Sequence, residues 1–219
     1  MQQTFSSILI SPVEEQEKDD LLKMYLSVFH DREPLTKWIG LSLDRNREIA
    51  RSHFSRPGLS PLREGLCWFA RAGSLPVGFL VMDHPDAGEA QELPDDLTPQ
   101  EQARVADAVA LLEAVRRPLR DLPVSAGERQ VLHVAAVGVV PGYEGRGIAR
   151  KLLETGLREG VRRGCTCAVS ECTGPASRKL HAACGFRLLQ SFPVRGLAVG
   201  NRRLDAAEDL EIHLMWKDL

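Results

Sequence analysis

The sequence lacks long hydrophobic runs, a cationic leader and an excess of charge of either sign. Its longest apolar stretches lie near residues 75–82 and 131–141, well short of the ~20 residues that a transmembrane helix needs. No positively charged segment precedes the short apolar run at residues 8–10, so no signal peptide is predicted. Lys and Arg total 28 against 30 Asp and Glu, a formal net charge of −2, which favours neither nucleic acid nor an acidic membrane as a partner. We therefore expect a cytoplasmic protein.

Cysteines are few, and their spacing does not suit a metal centre. They are Cys67, Cys165, Cys167, Cys172 and Cys184. The pair Cys165 and Cys167 has one residue too few for the CxxC spacing of zinc ligands. The odd number predicts reduced thiols, with no disulfide framework and no bound metal. Hydrophobic residues nevertheless make up 43% of the chain, which is enough for a folded core.

The length of 219 residues suits one domain of generous size. Residues 84–128 differ from the rest, because prolines and acidic residues surround a helical segment at 99–117. We interpret this region as an insertion that folds back onto the domain. The chain is therefore predicted to form a single domain over residues 1–219, with a helical insertion at 84–128.

Hydrophobic periodicity divides the remainder into helices and strands. Helices are predicted over residues 14–29, 36–54, 147–162 and 175–184. Strands are predicted over residues 66–71, 77–83, 131–140, 165–171, 186–192 and 210–216. The first two strands form a hairpin, and strands then alternate with helices. This order predicts an α/β fold in which a mixed sheet carries helices on both faces.

A glycine-rich loop follows the most apolar strand. The run Pro141-Gly-Tyr-Glu-Gly-Arg-Gly147 leads into a helix, so backbone N–H groups and the helix dipole converge there on an anion site. A Walker A loop needs Gly-Lys-Ser/Thr, but Ile148 and Ala149 follow the last glycine. A dinucleotide fingerprint starting at Gly145 would place Arg150 where its third glycine belongs. Both nucleotide interpretations fail, and a plain strand–helix turn is the alternative to an anion site.

The segment Val139–Ala149 resembles the acyl-CoA loop, Arg/Gln-x-x-Gly-x-Gly/Ala, of the GCN5-related N-acetyltransferase (GNAT) superfamily. Residues 180–186, Leu-His-Ala-Ala-Cys-Gly-Phe, resemble the closing helix and Gly-Phe of the same superfamily. The resemblance covers essentially the whole chain. It implies a mostly antiparallel, twisted sheet and acetyl-CoA as the cosubstrate. Glu144 departs from the pattern, because the superfamily prefers Arg or Gln at that position.

The resemblance also implies which residues contact acetyl-CoA. The pantetheine amides would pair with main-chain groups of Val137 and Val139, which continues the sheet. The backbone N–H of Val139 would also polarise the thioester carbonyl. The pyrophosphate end would be held by residues of the loop and the start of the helix: Gly145, Arg146, Gly147, Ile148, Ala149 and Arg150.

A narrower resemblance concerns the acceptor. The segments Phe29–Leu35 (Phe-His-Asp-Arg-Glu-Pro-Leu) and Glu171–Ser177 (Glu-Cys-Thr-Gly-Pro-Ala-Ser) resemble motifs of the insect-type arylalkylamine N-acetyltransferases. This resemblance implies that Glu33 takes the proton of the amine. It also implies that Thr173 and Ser177 supply hydroxyls, with Ser177 donating a proton to the departing CoA sulfur.

Each assignment has an alternative. His181 occupies the place where many superfamily members carry a catalytic Tyr, so it either protonates the thiolate or packs as a partly buried side chain. Glu33 is otherwise a solvated acid, and Thr173 is otherwise the N-cap of the helix that follows. His133 and His213 alternate with apolar neighbours on strands, and we interpret them as structural or exposed.

Together the residues predict an enzyme that moves acetyl from acetyl-CoA directly to a small primary amine, with arylalkylamines among the candidates. A protein or peptide amine is the alternative acceptor. A CoA-binding regulatory module without turnover is the alternative outside the enzymes. Neither the acceptor nor the oligomeric state follows from the sequence.

Overall fold

The computed structural model describes residues 7–55, 61–84, 93–121, 131–200 and 202–219. Its helices are α1 (Lys18–Phe29), α2 (Pro34–Ile39), α3 (Leu43–Ser55), α4 (Pro99–Arg116), α5 (Ile148–Arg162) and α6 (Pro175–Ala183). Its strands are β1 (Ile8–Pro12), β2 (Cys67–Ala72), β3 (Leu75–Asp83), β4 (Val131–Val139), β5 (Cys167–Cys172), β6 (Arg187–Pro193), β7 (Ala198–Val199), β8 (Arg202–Arg203) and β9 (Glu211–Asp218). Single 3₁₀ turns cover Glu15–Glu17 and Arg117–Asp121.

Seven of these strands form one sheet in the order β1-β2-β3-β4-β5-β9-β6. The β4–β5 pair is parallel and the other neighbours are antiparallel. Apolar side chains of α5, such as Leu152 and Leu153, pack on one face of the sheet. Those of α1, such as Leu21 and Leu22, pack with Phe54 of α3 on the other face. The predicted fold class, a mixed and mostly antiparallel sheet with helices on both faces, is confirmed.

The prediction of one continuous helix over residues 36–54 is wrong, because the structure divides this stretch into α2 and α3. Gly40 ends α2 with φ of +65°, a left-handed conformation that glycine adopts without a Cβ clash. The N–H of Gly40 donates to the carbonyl of Thr36 at 3.1 Å. The chain therefore turns sharply before Leu43, and α2 becomes a separate six-residue helix.

Two further boundaries differ at the N-terminal end. The helix expected from residue 14 begins at Lys18, because Glu14 and Glu17 form a reciprocal capping arrangement around a 3₁₀ turn. Strand β1 was not predicted, and it pairs antiparallel with β2 from Ile8 opposite Ala72. A five-residue edge strand has too short a hydrophobic pattern to be recognised by periodicity alone.

The helical segment of the predicted insertion is α4. A capping box starts it, in which the Thr98 hydroxyl accepts from the Glu101 N–H at 3.3 Å. Leu111 and Val115 of α4 pack in a cluster with Trp216 of β9. Residues 85–92 and 122–128 of the predicted insertion lie outside the described residues, and the single-domain organisation stays a prediction.

The parallel strands β4 and β5 stay paired over only three residues. Val131 to His133 lie opposite Cys167 to Val169, after which the two strands separate. On the other side of β4, Val81 pairs with Ala136 but Met82 pairs with Val134, so β4 bulges by one residue. The opening between β4 and β5 positions the site described next. Among the described helices, none combines the length and apolar character needed to cross a membrane.

Candidate active site

A cavity of about 800 Å³ fills the opening between β4 and β5. Its walls come from β4 between His133 and Val139, the glycine loop, the turn before α2 and the first turns of α6. Ala135, Val137 and Val139 on β4 line it. The predicted cofactor-binding strand and the predicted catalytic side chains therefore border one space, although they are far apart in sequence.

The glycine loop provides a cradle for an anion. Gly142, Gly145 and Gly147 have φ of +86°, +73° and +74°, and a Cβ added at any of them would meet nothing within 4 Å. Gly147 is the N-cap of α5, a 15-residue helix, and gives it no side-chain cap. The first turn of α5 thus presents main-chain N–H groups to an open space, which fits the pyrophosphate of acetyl-CoA.

The two predicted loop arginines lie alongside this cradle. Arg146 donates to the Gly142 carbonyl at 2.7 Å and stacks over the Tyr143 ring at 5.0 Å. Arg150 lines the cavity and donates to Glu154 at 2.8 Å, one turn further along α5. Both contribute positive charge near the loop, and each donates a hydrogen bond within its own segment.

Glu33 and Thr173 meet on the cavity wall. Glu33 is the N-cap of α2, and its carboxylate accepts from the backbone N–H groups of Leu35 at 3.0 Å and Thr36 at 2.5 Å. The Thr36 hydroxyl donates to it as well, at 2.7 Å. The Thr173 hydroxyl, 140 residues away, donates to Oε1, the carboxylate oxygen that also accepts from Leu35. Glu33 is therefore not a freely solvated acid but a half-buried, oriented carboxylate.

The N-cap alternative for Thr173 is wrong. Gly174 is the N-cap of α6 and Pro175 occupies the first helical position. Thr173 therefore lies one residue before the capping position. Its hydroxyl donates to Glu33 instead, and both residues line the cavity.

Ser177 and His181 also line the cavity, one turn apart on α6. His181 is 1% exposed, and its Nδ1 lies 2.9 Å from the Ser177 carbonyl and 3.3 Å from Cys172 Sγ. A carbonyl only accepts, so Nδ1 carries the ring hydrogen. Within the described part of the chain, Nε2 has no hydrogen-bond partner. Burial lowers the pKa of His181, which keeps the ring neutral.

Cys172 is fully buried beside these groups. Burial raises the pKa of its thiol to about 11, against opposing hydrogen bonds from Ser177 and Ser170. A thiol with such a pKa is protonated near neutral pH and is a weak nucleophile. This environment disfavours an acetyl-cysteine at this position.

A buried ionic cluster that borders the cavity was missed from the sequence. His133 Nδ1 lies 2.6 Å from Asp83, its Nε2 lies 2.7 Å from Glu171, and Arg116 donates to Glu171 at 2.7 Å. Both ring nitrogens face carboxylates, so both carry hydrogens and the imidazole is cationic. Burial alone would lower the pKa of His133, but Glu171 and Asp83 raise it to about 9. Burial alone would raise the pKa of Glu171, but His133 and Arg116 hold it far below its usual range.

The signal for this cluster lies in the strand register. Asp83 of β3 stands opposite His133 of β4, and His133 stands opposite Val169 of β5, two residues before Glu171. Residues two apart on a strand share a face. Single-sequence reasoning gives no register, so the acidic partners could not be assigned.

The chain matches the family model of the Acetyltransferase (GNAT) family over residues 38–186. It therefore belongs to the GNAT family of acetyltransferases, a family that uses acetyl-CoA, and is an N-acetyltransferase. Among the described residues, no group of three or more His, Cys, Asp or Glu side chains is arranged to hold a metal ion.

Solved structures with the same fold include several insect proteins. The polyamine N-acetyltransferase of Drosophila melanogaster is 20% identical, with a TM-score of 0.73 over 97% of this chain and 100% of that one. The arylalkylamine N-acetyltransferase 2 of Aedes aegypti is 13% identical, with a TM-score of 0.70 over 97% and 99%. The C-terminal condensation domain of Ebony, solved with β-alanyl-dopamine, is 14% identical, with a TM-score of 0.79 over 98% and 100%. No curated protein sequence matches this chain.

Proposed function

We propose that the protein transfers acetyl from acetyl-CoA directly to a small primary amine with an apolar body, and that Glu33 accepts the proton of that amine. The observation that carries this proposal is the Thr173–Glu33 hydrogen bond on the wall of the cavity that also contains the glycine loop. The site thereby combines an oriented carboxylate with an anion cradle in one space.

The carboxylate answers the main chemical obstacle. An alkylammonium like that of Lys has a pKa of ~10.4, so producing the neutral amine near pH 7.4 costs about 4 kcal/mol. The Thr173 hydroxyl directs its hydrogen to Glu33, which leaves its oxygen lone pairs able to accept an N–H of the ammonium. As the amine proton moves to Thr173, the hydroxyl proton moves to Glu33.

Bound acetyl-CoA supplies the acetyl thioester. The amine nitrogen bonds to the acetyl carbon, the carbon–sulfur bond breaks, and the departing sulfur takes a proton. We assign this proton to the Ser177 hydroxyl, which takes in exchange the proton that the nitrogen loses as the amide forms, so Ser177 ends as a neutral hydroxyl. His181 is the weaker donor, because its single ring hydrogen is held by the Ser177 carbonyl and its Nε2 carries none.

The lining beyond Glu33 supports an apolar monoamine. Apolar side chains of α2, α3, α4 and the loop between α2 and α3 line this part of the cavity: Ile39, Leu41, Ile49, Val105 and Leu112. Two other cavity carboxylates, Glu144 and Glu171, are already paired with arginines. A polyamine would bring a second ammonium to this apolar end, where its desolvation is costly.

The five free thiols fit a cytoplasmic enzyme.

Acetyl-CoA consumption tests the acceptor class. The panel contains arylalkylamines, aliphatic monoamines, polyamines, amino acids and peptides, each tested over the same series of concentrations. We expect the highest kcat/KM with arylalkylamines or other apolar monoamines. Peptides turned over faster than every small amine would refute the small-molecule assignment.

A pH–rate profile tests the base. Glu33→Gln keeps the size of the side chain and one oxygen that accepts from one of the two α2 N–H groups, but it removes the base. We expect kcat/KM to fall most near neutral pH and to recover partly at alkaline pH, where free amine is plentiful. Glu101→Gln, which alters a helix-start carboxylate of α4 outside the cavity, is the control. A Glu33→Gln profile that superimposes on the parent's would remove Glu33 from the mechanism.

A further inference from the structure

An ion pair joins the two rims of the cavity. Arg32, in the turn between α1 and α2, donates from Nη2 to Glu144 Oε1 at 2.6 Å. Glu144 belongs to the glycine loop, 112 residues further along the chain. Both side chains are about half exposed and both line the cavity. The contact therefore links the rim that carries Glu33 to the rim that carries the anion cradle.

Glu144 is an unfavourable residue for this loop when considered alone. A carboxylate beside a pyrophosphate repels it, and the related loops favour Arg or Gln at this place. In this chain the carboxylate is paired with a guanidinium that reaches it from the opposite rim. The loop has no cation at position 144, but the Arg32 guanidinium, from the turn between α1 and α2, lies beside that position.

A guanidinium can serve both partners. Arg carries five N–H donors in a planar fork, and one carboxylate engages at most two of them. Arg146 and Arg150 are directed along their own segments, to the Gly142 carbonyl and to Glu154. Arg32 instead approaches the loop from across the cavity.

We propose that Arg32 is a ligand of the CoA pyrophosphate and that Glu144 holds its guanidinium in position for that contact. This inference rests on the proposed use of the glycine loop for acetyl-CoA. It assigns Arg32, a residue outside the loop motif, to cosubstrate binding. It also explains an acidic residue in an anion-binding loop, since Glu144 positions a cation there.

The test compares CoA with pantetheine, which lacks the pyrophosphate and the nucleotide. Dissociation constants are measured calorimetrically for the parent, Arg32→Ala, Arg32→Lys and Glu144→Ala. We expect Arg32→Ala to weaken CoA binding about tenfold, the value of one charge-assisted contact, and to leave pantetheine binding unchanged. Arg32→Lys should retain part of the affinity, because it keeps the charge but loses the fork. Glu144→Ala should weaken CoA binding less than Arg32→Ala, because it removes a repulsive charge along with the positioning contact.

A charge exchange sharpens the test. Arg32→Glu alone places two acids at the rim and should abolish most CoA affinity, whereas the double variant Arg32→Glu/Glu144→Arg restores a cation and should recover it. Arg195→Ala is the matched control, because Arg195 forms an equally short exposed ion pair with Glu208, also at 2.6 Å. We expect that variant to bind CoA like the parent.

The outcomes separate this inference from the proposed function. The pyrophosphate contact is overturned if Arg32→Ala binds CoA as tightly as the parent, or if it loses affinity for CoA and pantetheine equally. The assignment of the loop stands in both cases. Failure of the parent itself to prefer CoA over pantetheine overturns both. Far-ultraviolet circular dichroism establishes that each variant is folded.

Discussion

The buried His133 cluster predicts that stability falls at alkaline pH. The pKa of His133 is about 9 in the folded protein and about 6.5 in an unfolded chain. Because the folded pKa is the higher, the stabilisation is fully present below pH ~6.5 and is lost as pH rises through about 9. The difference between the two pKa values corresponds to about 3 kcal/mol. For a chain of this size, that is a fall in Tm of roughly 6–12 °C.

The assay is urea unfolding at a series of pH values between 6 and 10, for the parent and for His133→Gln. Other groups titrate in the same window, so the informative quantity is the difference between the two proteins. We expect the parent to lose about 3 kcal/mol more than His133→Gln over this range. His84→Gln alters an exposed histidine next to Asp83 and should behave like the parent. Parallel stability curves for the parent and His133→Gln would refute the assignment of a charged His133.

Two further predictions concern the site. Gly147→Val should weaken acetyl-CoA binding, and it should reduce the stabilisation of about 2.7 kcal/mol that acetyl-CoA at 100 times its Kd gives the parent. Gly73→Val, at a similar positive φ in the β2–β3 turn, controls for backbone strain. Unchanged affinity in a folded Gly147→Val protein would disprove the loop assignment. Ser177→Ala should slow the chemical step measured at saturating acetyl-CoA, whereas His181→Phe should slow it little. A large loss of rate in His181→Phe alone would assign the proton-donor role to His181. Rates equal to the parent's in both variants would assign that role to water.

The fold was readable from the sequence where the pattern was long and continuous. The β-branched run of β4, the glycine loop and the amphipathic α5 are contiguous in sequence, so their order predicted the strand–loop–helix unit and the anion site. Predictions were wrong where one residue decides the path. Gly40 divides the helix predicted over 36–54, because a left-handed residue ends α2 in a way that periodicity does not register.

The candidate site residues were named from short motifs, and their roles stay predictions. The structure adds their surroundings: Thr173 donates to Glu33, and the Nδ1 hydrogen of His181 is held by the Ser177 carbonyl. Contacts such as these depend on side-chain rotamers and on how the fold brings the starts of α2 and α6 together, which no local pattern encodes.

The sequence by itself determined the fold class, the glycine loop and the membership in a family, because these follow from contiguous residues whose chemistry is local. Only the tertiary structure decided which charges meet. Register brings Asp83, His133 and Glu171 together across three strands, and the separation of β4 from β5 lets Arg32 face Glu144 across the cavity. Electrostatic interactions act through space rather than along the chain, so partners more than a hundred residues apart are identified only once the backbone has been placed.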